Sequence, residues 1–177
     1  MTELEDELKK AILIENENKP EKAYVAGYGY HKKYGACSQC VLAAVQDTLG
    51  NINNDVIKSS HALAGGVARG GDGTCGSLTA GVMAICCTHG RERNDFDKKP
   101  AKSFELSNKL RMRFIEKYGG TACHAVQERI FRRRFNLWDE KERNEFNAAN
   151  QSETNNCHEV VGNVSKWVTE ILLESGT

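Results

Sequence analysis

Apolar residues recur along the chain at three- and four-residue spacing and seldom alternate, which is the period of helices rather than strands. Leu4, Leu8, Ala11, Ile12 and Ile14 line one face of an opening helix. Pro20 predicts its end, because an interior proline lacks an N–H and crowds the preceding turn. Residues 21–34 continue as a helical segment interrupted by Gly27 and Gly29. Cys40 to Leu49 forms the next helix, ended by Gly50-Asn51, and Asn54 to Leu63 forms a short one. Ser77 to His89 carries Leu78, Val82 and Ile85 on one stripe. Pro100 stands where a helix can start, and that helix runs to about Tyr118, before Gly119-Gly120. Cys123 to Phe131 is a further helix, Asn147 to Asn156 a polar loop. Val160, Val161, Val164, Val168, Ile171 and Leu172 make the last helix amphipathic. The expected fold is all-α: a single compact domain of seven or eight helices over residues 21–177, with residues 1–20 as a helical extension.

One stretch breaks the helical pattern. Gly65, Gly66, Gly70, Gly71, Gly73, Gly76 and Gly81 crowd into seventeen residues. Glycine at that density marks tight turns and close backbone approach. Gly71 to Gly76 fits G-x-G-x-x-G by letters, but no strand precedes it as a dinucleotide fold requires, and the Lys-Ser/Thr of a phosphate-binding loop is missing. A better account is that the loop lets backbone crowd a site around Cys75 and offers N–H donors to sulfur.

Composition narrows the function. Lys plus Arg and Asp plus Glu number 24 each, so the whole-molecule field steers the chain toward neither nucleic acid nor anionic membrane. Arg132-Arg133-Arg134 is the one basic cluster and reads as a solvated face. No apolar run is long enough to span a bilayer, and the acidic start does not resemble a signal peptide. These features predict a cytoplasmic protein with an unidentified redox partner protein, a homo-oligomer remaining open. In that compartment thiols stay reduced, so seven cysteines read as metal ligands, catalytic thiols or core residues.

Four of the seven share a placement. Cys40, Cys75, Cys123 and Cys157 each stand at or near a predicted helix start and point the way the apolar stripe points. A helix N-terminus stabilises negative charge, which favours thiolate. Their separations of 35, 48 and 34 residues mean that only folding can assemble them. Cys86 and Cys87 read as core filler after Val82, Met83 and Ile85. Cys37 pairs with Cys40 as C-x-x-C, but no strand precedes it as in a thioredoxin-like motif, so it reads as a bystander. The histidines His31, His61, His89, His124 and His158 read as surface residues, and no Ser-His-Asp or paired-carboxylate constellation can be argued.

The order of these features resembles a known family. A cysteine opens the helix Cys40-Val41-Leu42-Ala43-Ala44-Val45. The block from Ala64 to Gly81 holds Gly73-Thr74-Cys75-Gly76-Ser77-Leu78-Thr79-Ala80-Gly81; Cys123 follows Gly119-Gly120, and Cys157 precedes the last helix. Over about residues 22–174 this resembles the redox-active proteins named for their C-GCAxxG-C-C motif, and is similar to the iron–sulfur domain of split-Soret-type cytochromes. Ser77 stands where alanine is usual, and Cys37 is an addition. The resemblance implies that Cys40, Cys75, Cys123 and Cys157 are the cofactor- and metal-binding set. Four cysteines suit an iron–sulfur cluster, [2Fe–2S] foremost, serving electron transfer. A thiol–disulfide oxidoreductase using Cys37 and Cys40, or a pair of the family cysteines, is the alternative. Zinc ranks third, since its ligands usually come in close-spaced pairs.

Overall fold

A computed structural model of the chain describes residues 3–99 and 101–176, with side chains from residue 18 onward except Ala101. Eight helices follow in order: α1 (Glu3–Tyr34), α2 (Cys37–Leu49), α3 (Asn54–Ser59), α4 (Gly76–His89), α5 (Ala101–Tyr118), α6 (Cys123–Phe131), α7 (Glu140–Ala149) and α8 (Cys157–Glu174), with 3-10 turns at His61–Leu63 and Arg93–Asp95. Among the described residues the only β feature is an isolated antiparallel bridge between Thr74 and Ala122. The all-α architecture is as the periodicity predicts. No described helix is long and apolar enough to cross a membrane.

The last helix is the centre of the packing, in contact with α1, α2, α4 and α5. Val161, Val164, Val168 and Leu172 are fully buried, and Leu42, Val45, Ile85, Leu110 and Phe114 pack in the same core. Each such side chain contributes about 1.5–3 kcal/mol by leaving water. α8 also buries Ser165 and Thr169, whose hydroxyls donate to the carbonyls of Val161 and Ser165 at 2.9 Å. The helix thus satisfies these two buried hydroxyls from its own backbone and can be enclosed on nearly every side.

Several local expectations are corrected. α1 does not stop before Pro20 but runs through it, giving up the hydrogen bond that residue cannot make. Gly27 is no break either: a Cβ there would stand 2.5 Å from Ser165 Oγ, and one at Gly162 would stand 2.9 Å from the Tyr24 ring. These two glycines let α1 lie close on α8. Asn54 to Leu63 divides into α3 and a 3-10 turn. α7 occupies a stretch without an apolar period; it is capped by the Asp139 side chain, which accepts from the Glu142 N–H at 2.9 Å. Phe146 then packs edge-on against Phe131 and Phe135, so the polar loop shrinks to residues 150–156. Cys86 and Cys87 are exposed, not core, because they lie about 100° and 200° around the helix from buried Ile85. The helix start expected at Pro100 lies outside the described residues.

Gly29 has nothing within 4 Å of where its Cβ would be. Gly29→Ala should therefore stabilise the protein by about 0.5–1 kcal/mol. Gly27→Ala should destabilise it by about 1–3 kcal/mol through overpacking. Urea unfolding of the two variants checks both signs within one helix.

Candidate functional site

The glycine-rich segment and the start of α6 are joined backbone to backbone. The Cys75 N–H donates to Thr121 O at 2.7 Å, the Cys123 N–H to Gly73 O at 2.9 Å and the His124 N–H to Gly71 O at 2.8 Å. This clamp holds Cys75, the N-cap of α4, beside Cys123, the first residue of α6. It tolerates no side chain at the crossing: a Cβ on Gly66 would lie 2.8 Å from the Cys123 Cβ and 2.9 Å from Gly73 O. The turn leading into it is left-handed from Gly65 to Arg69, and includes Val67, Ala68 and Arg69 at φ of 61°, 48° and 63°. Non-glycine residues rarely adopt that conformation, at about 1 kcal/mol or more each.

Two more cysteines reach the same neighbourhood. Cys157 opens α8, its N–H held by the Asn150 side chain at 2.8 Å. Cys37 opens α2, and Gly76 leaves room for its sulfur, which would stand 2.7 Å from a Cβ at that position. The Cys157 thiol feels those of Cys123, Cys75 and Cys37; Cys75 feels Cys37 and Cys123; Cys123 feels Cys37. Of the residues singled out in the sequence, Cys75, Cys123 and Cys157 are brought together. Of the cysteines Cys40 feels only Cys37, and its S–H donates to Gly35 O at 2.8 Å. The reason is where α2 begins. With Cys37 as its first residue, Cys40 lies nearly one turn on, about 4.5 Å further along the axis. Among the described residues no three His, Cys, Asp or Glu side chains gather closely enough to hold one ion.

The thiols are not lowered as helix starts alone would suggest. Burial pushes up all four of the gathered cysteines, to about 11 at Cys123, and lifts Cys40 to about 12. Desolvation penalises the charged form more than the helix ends favour it. Donors partly offset this. Gly65, Ser38 and Ser77 turn backbone N–H groups toward the Cys37 sulfur, and the Ser77 hydroxyl also favours its thiolate. That hydroxyl is buried and reaches no partner at ordinary hydrogen-bond geometry. The Gln127 amide donates to Cys123 Sγ at 3.5 Å, while its carbonyl oxygen accepts from the Phe135 N–H at 2.8 Å. Gln127 carries no signal in the sequence beyond its place one turn after Cys123.

His158 is buried, not on the surface as expected. Its Nδ1 meets Nδ1 of His31 at 2.7 Å, joining α8 to α1. One ring must donate and the other accept, so the pair cannot be doubly charged. Burial, with the neighbouring His158, lowers the His31 pKa to about 3. In the unfolded chain a histidine takes its proton near pH 6.5. Stability from the neutral pair is therefore complete above pH 6.5 and lost as pH falls from there toward 3. Urea unfolding at pH 5 should show a loss of up to about 2 kcal/mol relative to pH 7. His31→Gln should flatten that dependence.

A family model described as Putative redox-active protein (C_GCAxxG_C_C) matches residues 35–171, a span containing Cys37, Cys40, Cys75, Cys123 and Cys157. No curated protein and no solved structure matches the chain.

Proposed function

The chain belongs to the C_GCAxxG_C_C family of redox-active proteins, and we propose that it is a one-electron carrier whose Cys37, Cys75, Cys123 and Cys157 hold an iron–sulfur cluster, [2Fe–2S] in type. The observation that supports this reading is that four thiols from four separate helix starts lie near enough for their charges to interact. A dithiol needs two cysteines, while a cysteine-ligated cluster takes four. The wide separation of the four along the chain also favours a cluster over zinc, whose ligands usually come in close-spaced pairs. A structural zinc needs four donors about 2.3 Å from a single point, whereas a two-iron cluster divides its ligands between two metals.

Bound at this site, the cluster supplies reversible one-electron chemistry. The chain's own residues do the rest. At neutral pH the gathered thiols are protonated, so loading releases their protons and is favoured as pH rises. Gly66 and Gly76 keep side chains out of the space beside Cys123 and Cys37. The N–H groups of Gly65 and Ser77, the Ser77 hydroxyl and the Gln127 amide stabilise negative charge on sulfur, which raises a reduction potential. Burial keeps water from the thiols and opposes charge, so these donors and the enclosure act in opposite directions.

The dithiol reading fares less well. The thiolate is the attacking species, yet Cys40 is a hydrogen-bond donor to Gly35 and is pushed up to about 12. Cys37, the one cysteine it interacts with, is raised as well. Cys40 reads as a packed structural thiol.

Iron and sulfide content with a visible spectrum, on protein purified without oxygen, tests the proposal. Wild-type protein should be coloured, with iron and sulfide in equal amount. Serine replacement of Cys37, Cys75, Cys123 or Cys157 should bleach it or shift its potential, while Cys40→Ser, Cys86→Ser and Cys87→Ser should keep the chromophore. Bleaching by Cys40→Ser with colour retained in Cys37→Ser would return Cys40 to the ligand set. Colourless, iron-free wild-type protein that exchanges disulfides would overturn the cluster.

A further inference from the structure

We propose that the cavity lined by Cys37 is a binding site for a small organic oxyanion carried on a planar ring. The cavity measures about 830 Å³, within the range of small-molecule sites. It opens between the end of α1, the left-handed glycine-rich turn, α7 and the start of α8.

Its charge is of one sign. Lys32, Arg69 and Arg143 line it, and no aspartate or glutamate does. Since the chain as a whole has 24 basic and 24 acidic residues, this is local sorting, not a general excess. None of the three has an ion-pair partner among the described residues, whereas nearby Arg133 and Arg134 hold Glu145 and Glu128 at 2.9 and 2.7 Å. Arg143 donates from one nitrogen to Leu137 O at 3.2 Å, and its remaining N–H groups suit a carboxylate, phosphate or sulfonate.

Independent features point the same way. His158 also lines the cavity and is 5% exposed, with Nδ1 on His31 and its ring turned toward the Asn150 backbone. Arg69 is brought to the cavity by the strained run Val67-Ala68-Arg69. That run is fastened across the cavity by Trp138, whose Nε1 donates to Ala68 O at 2.9 Å. Strain held by its surroundings is found where a group must be positioned. Trp138 and Tyr34 line the cavity too, 68% and 65% exposed, and offer faces on which a planar ring stacks.

The proposal stands apart from the cluster, and its test needs no metal. Naphthalene-2-sulfonate serves as the anion and naphthalene-2-sulfonamide as its uncharged counterpart. Both are titrated by calorimetry and tryptophan fluorescence into full-length protein purified without oxygen. The sulfonate should bind saturably and at least about tenfold more tightly than the sulfonamide. The double variant Arg69→Gln, Arg143→Gln should lose about tenfold or more in affinity while keeping the wild-type circular dichroism spectrum. Arg133→Gln, which removes an ion-paired arginine outside the cavity, should bind as wild type. Trp138→Phe should abolish the fluorescence change, because the only other tryptophan, Trp167, is in the core. Equal affinity for the two probes, no saturable binding, or wild-type affinity in the double variant would overturn the site. So would a fluorescence change that survives Trp138→Phe.

Discussion

Three backbone hydrogen bonds between residues 71–75 and 121–124 set the relation of α4 to α6, and through it the relation of Cys75 to Cys123. Helices packed by side chains alone settle within a range of angles and distances. A run of backbone contacts allows one register. That register requires Gly66 and Gly71 to have no side chains, since a Cβ on either would stand within 3 Å of Cys123 or His124, and Gly73 none, since its Cβ would stand 2.6 Å from Gly66 O. Glycine density and cysteine placement are therefore one feature. The glycines let two helix starts touch, and the cysteines stand where they touch.

Two opposed electrostatic effects meet there. Four helix starts direct N–H groups and the positive ends of their dipoles inward, while enclosure removes the water that would stabilise charge. Enclosure prevails at every gathered thiol. Four thiolates could not coexist in that space without a cation to offset their repulsion, so the arrangement is suited to charge that arrives with a bound metal rather than to free nucleophiles. Ser77 adds to this: its hydroxyl is unpartnered while Cys37 is a thiol, and favours the thiolate.

Where amphipathy dictated an element, the sequence was legible. α4, α6 and α8 follow from apolar stripes, and the positions of Cys75, Cys123 and Cys157 at their starts follow with them. The place of Cys37 is not legible in the sequence, because a helix start has no periodic signature. Ala36 takes φ 49° and begins α2 three residues before the apolar stripe does, which makes Cys37 the opening residue and sets Cys40 a turn behind. α7 has few apolar residues and depends on its Asp139 cap and on Phe146 meeting two distant phenylalanines, contacts visible only after folding. Pro20 and Gly27 read as breaks by local propensity, and packing against α8 overrides propensity of about 1–3 kcal/mol per residue. His158 looked like a surface residue because its partner, His31, lies 127 positions away.

Cys37 differs from the other three gathered cysteines in facing two environments. Cys75, Cys123 and Cys157 do not line the basic cavity, and Cys37 does. Its sulfur is held on the inner side by the N–H groups of Gly65 and Ser77, in space that Gly76 leaves open. The same Gly65 begins the left-handed turn that brings Arg69 to the cavity. A displacement of that turn would change both the donors on the Cys37 sulfur and the position of a cation at the cavity. One turn thus sets both the donors on the Cys37 sulfur and the place of Arg69 at the cavity.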